Sequence, residues 1–261
     1  MRIRRIIVAT VSALALLAAC TTARSPRFDL SSVATVTTRS TTSTTDAPTT
    51  TRATRATTTT AKPRPPATVQ LPAVRGDQAI VVTAATYGAT TATVTAYQRV
   101  HDGFRAVFGP WAAYVGRKGI APPGEKREGD GRTPSGSYGI DFMFGTQSNP
   151  GVKFPFRYIS GPNIVWVEDS NSPNYNRWVD TSTDDAGNQP DNMNKPPYRY
   201  GAVIAYNTAE RTPGLGSGIF LHVTHDSPTA GCVALPVGNL LKILRWLDPA
   251  ASPAFVIGVD G

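Results

Sequence analysis

Residues 21–68 lack the means to fold, and that confines everything else in the chain. Eighteen of these 48 positions are Thr and five are Pro, and large apolar side chains are nearly absent. Such a stretch buries too little surface to offset the entropy of ordering it. It reads as a disordered tether. At about 5–6 Å × √n for a flexible chain, its mean span is on the order of 40 Å. The packed part is therefore limited to residues 70–261, enough for one sizeable core. The formal charge of +8 comes from 26 Lys and Arg against 18 Asp and Glu. Residues 69–261 hold 16 of each sign, so the excess belongs to the leader and the tether. A nucleic-acid groove has no net charge behind it here, and nucleic acid is excluded as a partner.

The N-terminus reads as an address. Arg2, Arg4 and Arg5 precede an apolar run, Ile6–Ala19, of fourteen residues. That suits a signal-peptide core and falls short of the roughly 20 residues of a spanning helix. The run ends Leu17-Ala18-Ala19-Cys20, which resembles the bacterial lipobox. The resemblance implies cleavage before Cys20 and a diacylglycerol on its thiol. The expected layout is a signal peptide over 1–19, lipidated Cys20 with its linker over 20–69, and a catalytic domain over 70–261. The lipid bilayer is then a partner through the anchor. The protein sits on the outer face of the cytoplasmic membrane, facing the cell wall. The chain has two cysteines, Cys20 and Cys232. A lipidated Cys20 cannot pair with Cys232, which leaves a free thiol in an exported protein and suggests reactivity.

From about Gln70, short apolar, β-branched and aromatic runs alternate with Gly, Pro, Asn and Asp punctuation. That pattern predicts a mainly β domain. Ala79–Ala84 and Thr91–Val100 read as the first strands. His101-Asp102-Gly103 reads as a hairpin turn, with Phe104–Val115 returning. Asn163–Glu168, Arg199–Asn207, Gly218–Thr224 and Ala254–Val259 are further strands. One helix is expected near the end, with Pro236 at its first position, Val237, Leu240, Leu241, Leu244 and Leu247 on its apolar face, and Pro249 as its stop. Gly129-Asp130-Gly131 and Gly214-Leu215-Gly216 lack a strand–helix context and read as turns. Asp169–Pro197, rich in Asn, Asp, Ser and Pro, reads as a long loop that serves as a lid or rim. Trp166, Trp178, Tyr175, Tyr198, Tyr200 and Tyr206 read as core ahead of groove.

Chemistry concentrates in Gly218–Pro236, GIFLHVTHDSPTAGCVALP. A strand delivers His222, a polar turn follows, and Thr229-Ala230-Gly231-Cys232 precedes the helix. An imidazole beside a thiol is expected to lower its pKa and carry its proton. Gly231 before Cys232 allows a tight backbone whose amides converge, as an oxyanion hole requires. His222, His225 and Cys232 do not read as a metal site, because strand positions three apart face opposite sides. His225 reads as a turn residue.

This segment resembles the active site of the L,D-transpeptidase (YkuD-like) catalytic domain. That family places a histidine on a strand, then a variable gap, then Ser/Thr-x-Gly-Cys. Ala230 stands here where many members have histidine, and the gap is short. Glu128–Gly136, EGDGRTPSG, resembles the family's D-G-x-T-P-x-G element, and Gly139–Phe144 fits the strand that follows it. The likeness covers about residues 78–260.

The resemblance implies a β-sandwich domain, with one helix after the cysteine, that acts on peptidoglycan stem peptides. It implies Cys232 as nucleophile through a thioester and His222 as its base or acid. The Val223 carbonyl would orient the imidazole, Gly231 and Cys232 would supply the oxyanion amides, and Thr229 would support the loop. Arg177, Arg199 and Asn207 are candidates for binding the stem. Carbapenem-type inhibitors would acylate Cys232. No metal or organic cofactor is implied, and the reading is of a monomer. The alternatives are an L,D-carboxypeptidase, with water as acceptor, and a wall-binding lipoprotein without turnover.

Overall fold

The computed structural model describes residues 67–260. The expected signal peptide, Cys20 and the tether up to residue 66 lie outside the described residues. The domain is mainly β with a single α-helix. Strands β1 (Gln78–Ala84), β2 (Thr91–Val100) and β3 (Gly103–Tyr114) form an antiparallel meander. The turn between β2 and β3 is His101-Asp102, as its residues predict, and Gly103 carries the positive φ that follows it. Val69 bridges Phe104, so the last residue expected of the linker is already paired with the domain.

Short strands follow: β4 (Ile120–Ala121), β5 (Thr133–Pro134), β6 (Gly136–Tyr138), β7 (Ile140–Gly145), β8 (Phe156–Tyr158) and β9 (Ile164–Trp166). Then come β10 (Trp178–Asp180), β11 (Asp191–Asn192), β12 (Gly201–Ile204), β13 (Phe220–Val223) and β14 (Val233–Leu235). Helix α1 (Val237–Trp246) and strand β15 (Ala254–Val259) complete the chain. Ten strands form one mixed sheet in the order β6-β15-β1-β2-β3-β14-β13-β12-β7-β8.

That order forces the sheet to curl. β6 is at one edge and β7 is next to the other, yet only Gly139 separates them in sequence. The two ends must therefore meet. The Tyr138 ring at the end of β6 stands edge-on to Tyr206 beyond β12, 5.4 Å between centroids, and the Ala205 amide donates to the Gly139 carbonyl. Strand twist makes such a curl the natural shape of so wide a sheet.

Both faces of the β7–β12–β13–β14 region are buried, which is why its strands read as continuous apolar runs. Met143, Ala202, Ile204, Leu221 and Val233 face the larger core inside the curl. Phe142, Phe144, Val203, Phe220 and Cys232 face a second, aromatic core. The three-stranded sheet β10-β9-β11 covers that second face with Ile164, Trp166 and Trp178. Trp166, Tyr198 and Phe144 pack edge-on around the Phe220 ring, with centroids 5.0–5.5 Å away. Such pairs add about 0.5–1.5 kcal/mol each beyond area burial.

α1 lies on the larger core through Leu240, Ile243 and Leu244, with Leu247 just past its end. Two details differ from the sequence expectation. Pro236 is the residue before the first helical one, where its carbonyl accepts the Leu240 amide and its missing N–H costs nothing. Ile243 takes the fully buried place expected of Leu241, which is only half-buried. The stretch Asp169–Pro197 is not one loop. It contains β10 and β11, both paired with β9.

Candidate active site

β13 places His222 by simple alternation. Leu221 faces the larger core, so Phe220 and His222 face the aromatic side. β14 runs parallel to β13 with Val233 opposite Leu221 and Ala234 opposite His222. Val233 also faces the larger core, so Cys232, one residue earlier, falls on the same side as Phe220 and His222. The connection between the two parallel strands is only residues 224–232, without a helix. Parallel neighbours are usually joined by a dozen residues or more. This short return draws the backbone into a tight turn at Thr229–Cys232.

The turn is held from two directions. The Thr229 hydroxyl donates to the Cys232 carbonyl at 2.7 Å and accepts the Gly231 amide at 3.1 Å. The Thr133 hydroxyl, from the EGDGRTPSG segment, reaches the same carbonyl at 3.3 Å and accepts the Gly116 amide at 2.9 Å. Two stretches a hundred residues apart in sequence thus meet at the backbone of Cys232. Gly231 is needed for this approach. A methyl group there would stand 3.0 Å from the Arg132 carbonyl oxygen and 3.2 Å from the Ile219 side chain.

Cys232 is a free cysteine, 6% exposed, and His222 is 4% exposed. The Cys232 thiol donates to the Gly218 carbonyl at 3.3 Å, and the Phe220 amide donates to its sulfur at 3.4 Å. His222 Nδ1 pairs with the Val223 carbonyl at 2.8 Å. A carbonyl only accepts, so Nδ1 carries the proton and Nε2 is bare. The Tyr198 ring stands edge-on to the imidazole at 5.4 Å.

Burial sets the protonation states. It pushes the Cys232 thiol up to about 12, against a smaller opposing pull from the Phe220 amide. It holds His222 down to about 4, partly offset by the Val223 hydrogen bond. The resting pair is thus neutral thiol and neutral imidazole. This differs from the expectation that the imidazole lowers the thiol pKa: desolvation dominates, and the opposing pull comes from the Phe220 amide and Lys195.

Both residues open into a cavity of about 480 Å³ whose wall is densely charged. Lys195 pairs with Asp191, and the Tyr198 hydroxyl donates to the other Asp191 oxygen at 2.5 Å. Glu128 accepts the hydroxyls of Tyr175, at 2.5 Å, and Ser217, at 2.7 Å. Lys126 bonds Asp130 at 2.8 Å. Arg117 and Glu168 complete the charged lining. Burial, then the charges of Asp191 and Glu128, push Glu168 up to about 7, against the pull of Lys195 and Lys126.

The expected site residues separate into two groups. Cys232, His222, Thr229 and Gly231 line the cavity, and the Val223 carbonyl holds the imidazole. His225 and Ala230 are exposed at its rim. Arg177, Arg199 and Asn207 do not line it. Arg177 borders a different hollow, with Arg157, Trp178 and Arg211. Arg199 is exposed at the end of a 3₁₀ turn, Pro196–Arg199. Asn207 spends its side chain on its own loop, donating to the Thr212 and Gly216 carbonyls and accepting the Thr212 amide.

Sequence reasoning missed the groups that shape the wall. Asp191, Lys195 and Pro197 come from the stretch expected to be a lid or rim. Asn176, buried and at positive φ, accepts the Trp166 indole and Gly218 N–H groups and donates to the Tyr206 and Asn207 carbonyls. It fixes the residue whose carbonyl receives the thiol. Glu128 and Thr133 lay inside a quoted motif whose contacts were not legible from it.

A family model for the L,D-transpeptidase catalytic domain, YkuD, matches residues 77–256. No curated protein matches the sequence. Among solved structures, the chain is similar to the helical cell shape determining protein Pgp2 from Campylobacter jejuni, with 14% identity and a TM-score of 0.36. That alignment covers 71% of this chain and 49% of the other, so the chain matches about half the length of that protein. The family match spans most of the chain and contains the whole His222–Cys232 segment, and the chain belongs to the L,D-transpeptidase catalytic domain family.

Proposed function

We propose that this protein is a peptidoglycan L,D-transpeptidase that works through a thioester on Cys232, with His222 carrying the proton. One observation carries the reading: thiol and imidazole lie on one face of two adjacent parallel strands and open into one cavity, with Nδ1 tied to a backbone carbonyl. The bare Nε2 is then the atom able to take a proton.

The neutral resting pair implies that sulfur attacks as its proton leaves. Sγ attacks the third stem residue's own carbonyl, the one bonded to the D-alanine nitrogen, and its proton passes to His222 Nε2. Collapse of the tetrahedral adduct breaks the peptide bond. The departing D-alanine amine takes that proton, and a thioester remains. An amine of a second stem attacks the thioester, the C–S bond breaks, and the sulfur regains a proton. The Gly231 amide is committed to Thr229, so the Cys232 amide is the oxyanion donor in this geometry. The Phe220 amide steadies negative charge on the sulfur.

Product analysis tests the reading. Disaccharide tetrapeptides incubated with the protein are expected to yield cross-linked dimers, with one D-alanine released per link. Trimmed monomers alone would make it a carboxypeptidase, and neither product would leave the inactive wall-binding reading.

The Leu17–Cys20 sequence supports a lipid anchor on the outer face of the cytoplasmic membrane. Intact mass of the membrane-extracted protein is expected to show loss of residues 1–19 and a diacylglycerol at Cys20. An unlipidated mass would sink the anchor.

A further inference from the structure

We infer that Glu168 is the proton acceptor for the incoming amine in the second half of the reaction, distinct from the His222 that serves the thiol. The inference rests on the proposed transpeptidase reading. An acceptor amine arrives as an ammonium ion, and it must lose a proton before its lone pair attacks a thioester. The transfer is R–NH₃⁺ plus carboxylate to R–NH₂ plus carboxylic acid. The amine then forms the new C–N bond as the C–S bond breaks, and its second proton passes through His222 to the departing sulfur.

Three carboxylates line the cavity: Glu128, Glu168 and Asp191. Two are committed. Glu128 accepts two hydroxyls, and Asp191 holds Lys195 and the Tyr198 hydroxyl. The lysines are committed as well, Lys195 to Asp191 and Lys126 to Asp130. Among the described residues, no hydrogen bond or ion pair reaches the Glu168 carboxylate. It is the one acid on this wall with its oxygens unassigned.

Its place is next to the chemistry. A methyl group on Gly218 would stand 3.1 Å from Glu168 Oε1, and the Gly218 carbonyl is the acceptor of the Cys232 thiol. Carboxylate and thiol therefore flank the same glycine. Glu168 charge is also felt at Cys232, where it opposes thiolate formation.

The groups around Glu168 tune it for this work. Asp191 and Glu128 add to burial in favouring its neutral form, while Lys195 and Lys126 oppose. Arg117, His222 and His225 also face the cavity. With Glu168 near 7 and an ordinary side-chain amine near 10.4, the gap for proton transfer is about three units; an ordinary carboxylate would leave about six. Its ionised form is the acceptor, so cross-linking rises as pH climbs through about 7.

Glu168→Gln in the full chain, purified in detergent, tests this with disaccharide tetrapeptide as both donor and acceptor. Acyl-enzyme formation, read by intact mass, is expected at the parent rate or faster, because the variant removes a charge that opposes the thiolate. Dimer formation is expected to fall by about 10²-fold or more at neutral pH, the lower end of the range for loss of a general base, and the rise near pH 7 to disappear. Dimer formation at the parent rate with the same pH limb would overturn the inference. So would an equal loss of acylation and cross-linking, which would make Glu168 a support for the whole cavity. A parent that forms no acyl-enzyme would overturn the transpeptidase reading and this inference with it, and that failure is visible before the variant is compared.

Discussion

A Cys232→Ser variant is expected to keep its fold and to lose acyl transfer by about 10⁴-fold or more in kcat/KM. Serine fills nearly the same volume, and its hydroxyl can donate to the Gly218 carbonyl and accept the Phe220 amide as the thiol does. What it lacks is nucleophilicity, because a hydroxyl parts with its proton far less readily than a thiol. The check is intact mass with a carbapenem: a one-to-one adduct on the parent and none on the variant, with melting temperatures close together. An adduct on the serine variant would sink Cys232 as the nucleophile. Slow alkylation of the resting parent is itself expected, since burial pushes the thiol up to about 12. Sluggishness toward a simple alkylating reagent is therefore no sign of an inert site. The substrate must supply the electrophile and the closed geometry before the proton moves.

His222→Gln is expected to slow acylation by about 10²–10⁴-fold and to change how stability responds to acid. Glutamine can still donate to the Val223 carbonyl, but it has no basic Nε2. In the parent, His222 stays neutral down to about 4, so acylation should hold through pH 6 and fall only near that value. The linkage has a definite sign. The unfolded chain takes a proton on this histidine near 6.5, whereas the fold resists until about 4. Parent stability thus falls as pH drops from 6.5 to 4, by about 3 kcal/mol in all. Glu168 acts in the opposite direction. The fold prefers its protonated form, so its contribution weakens as pH rises from 4.5 to 7. Comparing parent and His222→Gln at each pH cancels the Glu168 part, because both carry it. Denaturant unfolding at pH 7 and pH 4.5 gives the difference. Equal acid sensitivity in parent and variant would mean that His222 is not held neutral by burial.

The residues that were legible in the sequence are those marked by a local pattern. The short, mostly apolar run Ile219–Val223, bounded by Gly218 and a polar turn, and the 3.6 spacing of Leu240, Leu244 and Leu247 gave strand and helix, and Cys232 and His222 stood out by chemical type. What was not legible depends on contacts between distant segments. β10 and β11 have three and two residues, too few to show a pattern, so Asp169–Pro197 read as loop. Glu168 looked like the end of a strand, and its importance comes from Gly218, fifty residues later, lying against it. Arg177 and Asn207 were chosen for chain proximity. The positive φ at Asn176 accompanies a course that takes Arg177 to another hollow, and Asn207 closes its own loop. The charge on the thiol was misjudged for the same reason. An imidazole nearby is visible in a sequence, but the dryness of the aromatic core around Cys232 is not.

The short return between β13 and β14 separates two properties that most enzymes alter together. Because the strands are parallel, residues 224–232 must climb back along β13 before β14 begins, and at about 3.3 Å per residue three paired positions set a floor on that climb. Deletions soon meet this floor. Insertions are expected to meet no such limit, because the segment is exposed at His225 and Asp226 and added residues can bulge outward with the register of Leu221 on Val233 kept. The length of this segment is therefore a dial on the entrance, open to change by evolution or by design. Lengthening it reshapes what reaches the sulfur without moving the sulfur relative to the imidazole.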